Sequence, residues 1–332
     1  MSIGDNMPPE SERTFLNLFE LSPQLIEPVV RACRVFNTAL DVIFYDVPTL
    51  ITQLAAKDAP MRARDEKAPS RIVEFDALSD PEGSLLLIDA NTAPYVHKYT
   101  NVDLFLTSPH QETRDVEIAT ITGVGSSALG SAALAWDVSL ALEKPVLAIV
   151  PGYGIADVVL QALGGWFGFG LYDYLHTKNL IQNSLANVAP QTASIGRQLS
   201  ASTPNAKTLH GAPVFRHGSG SSDVLHALLT YREAPFRLLV GHSKGALQIG
   251  NGIQTLPPER TLALRVVTLG CPIATNVEGV SYYQYLGLFD ALGQLNMWGH
   301  WPDHWVPTWH STNPMLPPAM AAGKYTEDTT PT

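Results

Sequence analysis

Charge is scarce in this 332-residue chain: Asp, Glu, Lys and Arg make up 16% of it, with 21 Lys and Arg against 31 Asp and Glu. A formal net charge of −10 excludes a nucleic-acid backbone as partner, because such sites need clustered cations. Cysteine is rarer still. The two present, Cys33 and Cys271, are far apart and outside any metal-ligand spacing, so no disulfide framework is expected and both read as small buried hydrophobes. Internal repeats and low-complexity tracts are absent. One uncharged run, Ile118 to Trp136, reaches membrane length, but it holds three Gly, three Ser and two Thr. Its first part is β-branched and its second Ala-rich, which reads as strand, turn and helix, so no integral membrane segment is expected. Met1 to Glu20 carries Asp5, Glu10, Glu12 and Arg13 and no apolar core after a basic start. That is not the pattern of a secretory signal, and a cytoplasmic location is expected.

Hydrophobic residues are plentiful at 45%, enough for a large core. Up to about residue 65 their spacing of three and four predicts helix, with Pro28 and Pro48 as starts or breaks, and the charged stretch Met61–Pro69 as a connection. From Arg71 the pattern shifts to short strands, Ile72–Phe75, Leu85–Ile88 and Val102–Leu106. Val116–Thr122 then reads as a strand, Gly123–Ser127 as a turn, Ala128–Leu142 as a helix and Val146–Val150 as a strand. Such a βαβ unit predicts a parallel sheet. After an excursion from about residue 156 to 234, which includes a helix Val224–Tyr231, the sheet resumes. Strand Phe236–Val240, helix Ala246–Gln254, strand Leu264–Leu269 and strand Tyr282–Leu288 follow in turn.

The chemistry is concentrated where Phe236–Val240 runs into Gly241-His242-Ser243-Lys244-Gly245 and a helical pattern starts at once. A serine on a sharp strand-to-helix turn has its hydroxyl pushed out above the sheet edge. Glycines on either side let neighbouring backbone approach, and the helix N-terminus supplies N–H groups and a positive dipole where negative charge develops. A serine hydroxyl alone is a weak nucleophile, so a base and an orienting acid are required elsewhere. The side chain of Lys244 reads as solvent-facing and that of His242 as packed beside the sheet.

In this context the chain resembles the α/β-hydrolase superfamily of lipase- and esterase-like enzymes. Ile118–Gly125 is similar to that family's strand and oxyanion loop, with Thr122 where His is common. Val146–Gly154 is similar to the following strand and its Pro-Gly-x-Gly exit, and Val267-Thr268-Leu269-Gly270-Cys271-Pro272 is similar to a lipase strand exit. The resemblance covers about 116–155 and 235–312. It implies an α/β fold: a mostly parallel central sheet flanked by helices, formed by 111–155 and 235–332. A helical and short-strand extension (1–110) would pack on this core, and a lid insertion (156–234) would cover the site. It also implies the chain order nucleophile, acid, histidine. Asp290, which ends the strand Tyr282–Leu288, then becomes the acid, with Asp303 as alternative. His310, in Trp309-His310-Ser311-Thr312-Asn313-Pro314, becomes the base, with His304 and His300 as alternatives. The oxyanion donors become the backbone N–H groups of Val124 and Lys244. The aromatic, glycine-rich stretch holding Trp166, Phe167 and Phe169 becomes a pocket wall or a buried plug.

Two rival chemistries are weaker. His300, Asp303, His304 and His310 are competent zinc ligands, but Pro302 and Pro307 break the helix that would align them. Gly123, Gly125 and Gly130 follow a strand as a dinucleotide loop would, but the spacing is wrong and no acid ends the next strand. The expected function is therefore hydrolysis of a carboxylic ester with a hydrophobic acyl group through an acyl-enzyme on Ser243, with no cofactor and no metal. Thioester hydrolysis, acyl transfer on the same triad, and a non-catalytic binding protein remain as alternatives. The expected partner is a small-molecule or lipid-like ester, and self-association is left open.

Overall fold

Apolar residues on both sides of each central strand dictate a sheet covered on both faces. In the computed structural model the described residues are 39–63, 83–99, 102–108, 115–123, 126–151, 206–207, 213–214, 220–231, 235–254, 256–275, 277–295, 297 and 300–329. In chain order they form α1 (Val47–Arg62), β1 (Leu85–Ile88), β2 (Val96–Tyr99), α2 (Val102–Leu106), β3 (Ile118–Ile121), α3 (Ala128–Leu142) and β4 (Val146–Ile149). There follow β5 (Ala206–Lys207), β6 (Pro213–Val214), α4 (Gly220–Thr230), β7 (Leu238–His242), α5 (Lys244–Ile253) and α6 (Pro258–Thr261). The chain continues with β8 (Arg265–Leu269), β9 (Ser281–Gly287), α7 (Ala291–Leu295), β10 (His304–Val306) and α8 (Ala322–Glu327). A further helical stretch, residues 39–44, precedes α1.

Eight strands make one sheet in the order β10-β9-β8-β7-β3-β4-β1-β2, and among the described residues β5 pairs with β6. From β10 through β4 every pairing is parallel, while β1 runs antiparallel to both β4 and β2. The protein is thus of the α/β class with a mixed, mostly parallel sheet. Connections run from β3 outward to β4 on one side and from β7 outward through β8, β9 and β10 on the other. The order therefore reverses between β3 and β7, the place where open α/β sheets bind ligands at the carboxyl ends of their strands.

Alternation along each strand feeds two cores. Leu86, Ile88, Val146, Ala148, Leu238, Val240 and Val267 pack with Leu50 and Leu54 of α1, the small residues of α3 and Ala322 of α8. Leu85, Leu87, Leu147, Ile149, Leu239 and Val266 pack on the other face with Phe105 of α2, Leu225 and Leu228 of α4, and Ile249 and Ile253 of α5. Helix α3 lies close because its residues are small. Ser127 caps it by accepting the Leu129 N–H at 3.0 Å. Its one aromatic residue, Trp136, is buried and donates from Nε1 to Gln53 Oε1 at 2.7 Å. The run from Ile118 to Trp136 is thus a strand, a turn and part of a helix, and among the described residues no helix is long and apolar enough to cross a membrane.

Several expectations are corrected. Val102–Leu106 is a helix, not a strand: Val102 and Phe105 are its buried residues, three apart, and a short apolar run leaves that period ambiguous. Strand β2 pairs with β1 although its residues are mostly half-exposed, and β10 adds an edge strand within the Trp- and Pro-rich segment. Helix α4 begins at Gly220, four residues before the expected start at Val224. The expected strand Ile72–Phe75 lies outside the described residues, as does most of 156–234, including Trp166, Phe167 and Phe169.

Helix α5 contains two glycines in opposite situations. A Cβ on Gly245 would collide with the backbone oxygen of Ile121, whereas one on Gly250 would rest 3.5 Å from Ile273 Cδ1, an ordinary contact. Gly250→Ala should raise the unfolding free energy by about 0.5–1 kcal/mol by restricting the unfolded chain. Gly245→Ala should lower it by about 1–3 kcal/mol through overpacking. Urea denaturation of the two variants checks both signs.

Candidate active site

The carboxyl ends of β7, β8 and β9 and the segment after β10 bring the chemistry-bearing residues to one edge of the sheet. Ser243 follows β7 and precedes α5 with φ 54° and ψ −128°, a conformation that an L-residue adopts only under strain. Its N–H donates to Leu269 O at 2.8 Å, and Ser243 O accepts the Ala246 N–H at 3.0 Å. The flanking glycines are needed for the turn, because a Cβ on Gly241 would lie 2.6 Å from Ala246 Cα. Ser243 is half-buried, and its side chain does not cap α5. Among the described residues its Oγ has no hydrogen-bond partner.

Asp290 closes the turn after β9, almost fully buried, and its Oδ1 accepts the Gly293 N–H at 2.7 Å. His310 Nδ1 lies 2.9 Å and 2.8 Å from the two Asp290 oxygens. A carboxylate accepts only, so Nδ1 carries the hydrogen directed at it, which in the neutral ring leaves the lone pair on Nε2. Gly270, at the end of β8 with φ 69°, lies against this pair: a Cβ there would stand 2.9 Å from His310 Nδ1 and 3.0 Å from Asp290 Oδ2. The alternatives are placed elsewhere. Asp303 Oδ2 accepts the Gln284 N–H at 2.9 Å, His304 is exposed and stacks on Tyr285, and His300 is exposed. Among the described residues no three His, Cys, Asp or Glu could hold a metal ion. Cys271 is buried, and its thiol is pushed up to about 12 by burial and by nearby Asp290.

Of the expected oxyanion donors, Lys244 is the first residue of α5, where a backbone N–H has no partner within its helix. Its side chain is buried, contrary to the solvent-facing expectation, because α5 packs against the sheet from its first turn. Val124 lies outside the described residues, but Gly123 before it stands beside Ser243: a Cβ there would be 3.1 Å from Ser243 Cβ. Thr122, where the resembled family commonly has His, is buried with Oγ1 3.0 Å from Ser131 Oγ, joining β3 to α3.

Comparison with protein-family models, curated proteins and solved structures yields no match.

A set of residues that local pattern did not reveal supports the site from below. Ser311 Oγ donates to Ile43 O at 2.7 Å, Thr312 N–H and Oγ1 each donate to Phe44 O at 2.9 Å, and Asn313 Nδ2 donates to Val42 O at 2.6 Å. The carbonyls at the end of helix 39–44, which need donors from beyond the helix, thus hold the segment that carries His310. The Phe44 ring meets His310 edge-on at 5.8 Å. Tyr45 Oη accepts the Gly123 N–H at 2.7 Å and lies 2.8 Å from His242 Nδ1. His242 Nε2 lies 2.7 Å from His310 O. Burial and the neighbouring His310 imidazole bring His242 down to about 3 against the weaker upward pull of its hydrogen bond to His310 O, so it is neutral at pH 7.

Asp41 accepts the Ser127 N–H at 2.8 Å beneath the N-terminus of α3, and burial outweighs its donors, raising it from 3.8 to about 7. Its folded value lies above its unfolded one, so the protonated carboxyl stabilises the fold below about pH 4, and this contribution is lost as pH rises to about 7. Asp41→Asn keeps an acceptor without the charge. Its stability relative to wild type should improve by a few kcal/mol between pH 4 and pH 7, as read from urea midpoints across that range.

Proposed function

We propose that this protein is a serine hydrolase of the α/β-hydrolase class that cleaves carboxylic esters through an acyl-enzyme on Ser243. The observation that carries the reading is the convergence of a strained serine and a buried His–Asp pair at the carboxyl edge of one parallel sheet. In this reading 111–155 and 235–332 form the catalytic core, joined by α4, which packs under the sheet, and by β1 and β2, which extend it; the rest of 156–234 serves as the lid, and the rest of 1–110 is an extension whose residues 41–45 brace the site.

His310 Nε2 takes the Ser243 hydroxyl proton as Oγ attacks the ester carbonyl carbon. Asp290 holds the Nδ1–H and stabilises the imidazolium that forms. The carbonyl electrons move onto oxygen, which is met by the N–H of Lys244 and the N–H of Val124. Collapse of this intermediate breaks the carbon–alkoxy bond, and His310 returns the proton to the departing alcohol. Water then adds to the acyl-enzyme by the same steps in reverse roles, releasing the acid and restoring Ser243. Exposed Phe289, which precedes Asp290 at the carboxyl end of β9, favours an apolar acyl group.

Ser243→Ala should abolish both ester hydrolysis and labelling by a fluorophosphonate, and persistent labelling of that variant would place the nucleophile elsewhere. Asp290→Asn should lower kcat by roughly 10³- to 10⁴-fold, since it removes the group that fixes the imidazole tautomer. Across p-nitrophenyl esters of increasing acyl length, kcat/KM should rise by about 10-fold or more before levelling. A preference for acetate over longer chains would sink the apolar-substrate assignment.

A further inference from the structure

The buried polar atoms around Tyr45 have one self-consistent arrangement of protons. The carbonyl of His310 only accepts, so His242 Nε2 carries the hydrogen directed at it. The neutral ring then has an acceptor at Nδ1, which receives the Tyr45 O–H. The phenol oxygen in turn receives the Gly123 N–H. Every donor in the run Gly123 N–H, Tyr45 O–H, His242 Nε2–H points the same way, and each acceptor is filled. Tyr45 and His242 are almost entirely buried. Mere space-filling would be met by Phe at 45 and Leu at 242, without the cost of burying polar groups.

The two ends of this run are significant. One is the amide at which the chain leaves β3 beside Ser243. The other is the main-chain carbonyl of the proposed base. We propose that Tyr45 and His242 are positioning residues that tie the backbone of His310 to the loop entering the oxyanion site, so that base and oxyanion donors are held as one body. This rests on the hydrolase reading above. It gives His310 two separate constraints: Asp290 fixes the rotation of its ring through Nδ1, and His242 fixes its main chain. His242 also adjoins Ser243, so the strained turn that aims the nucleophile sets the direction of this tie as well.

The test uses the full chain and separates positioning from folding. Active sites are first counted with a fluorophosphonate, so that kcat refers only to correctly folded molecules. Tyr45→Phe, which leaves the Gly123 N–H and His242 Nδ1 unpaired, should lower kcat per labelled site by about 10- to 100-fold with KM changed less than about threefold. His242→Gln can still accept from Tyr45 and donate to His310 O, so it should keep a clearly higher kcat than His242→Leu. That ranking decides the matter if Tyr45→Phe fails to fold. Unchanged kcat per site in Tyr45→Phe, or equal rates for His242→Gln and His242→Leu, would overturn the proposal. Imidazole nitrogen NMR of the wild type tests the hydrogen-bond run independently of activity. It should show His242 as the neutral Nε2–H tautomer at pH 7, and an Nδ1–H tautomer would overturn the run. Wild-type protein that neither hydrolyses esters nor labels would instead remove the hydrolase reading, whatever the tautomer.

Discussion

The passage of α5 across the exit of β3 is the constraint on which the rest of the site depends. It requires a turn at Ser243 that no comfortable backbone conformation provides, and it requires that Gly241 and Gly245 have no side chain. Strain of this kind costs of order 1–3 kcal/mol and persists only where surrounding structure fixes it. The fixing elements are the Leu269 carbonyl on one side and the buried first turn of α5 on the other. Once that crossing is made, the amide of Gly123, the N-terminus of α5 and the serine hydroxyl lie together at the point where the strand order reverses.

The polar interior near this point is held with little net charge. Asp41, raised to about 7, is only partly ionised at that pH and His242 is neutral, each driven there by burial. Their hydrogen bonds therefore serve geometry more than Coulombic attraction. Asp290 receives donors from both Gly293 and His310, which is how a buried carboxylate remains tolerable. The resulting edge is a set of directional contacts with few degrees of freedom, built on strands whose own positions are fixed by two apolar cores.

Much of this was legible in the sequence because the signals were local. The Gly-x-Ser-x-Gly turn needed only a strand before it and a helix after it, and α3 was bounded by Ser127 and Glu143 as its composition suggested. Asp290 and His310 followed from chain order, and they do meet in space. Lys244 was misread because the first turn of α5 packs inward, a tertiary fact that helix position alone does not encode. Val102–Leu106 was misread because five apolar-rich residues satisfy either period. Asp41, Phe44 and Tyr45 carried no motif at all: their partners are remote in sequence, and helical spacing made them look like ordinary core-facing positions.

The span between those partners has its own consequence. Ser311 and Ile43 are 268 residues apart, and Asn313 and Val42 are 271 apart, yet they are directly bonded. Closing a loop of that length costs roughly 5 kcal/mol in chain entropy by the logarithmic rule, before any contact returns it. Contacts of such high order form late, after β3, β7 and β8 have given them a surface. During synthesis the serine turn can therefore fold well before the histidine segment has its floor. This edge of the sheet would then be completed as a discrete final event, giving the nascent chain a long interval in which the serine turn exists and the His310 segment is not yet held.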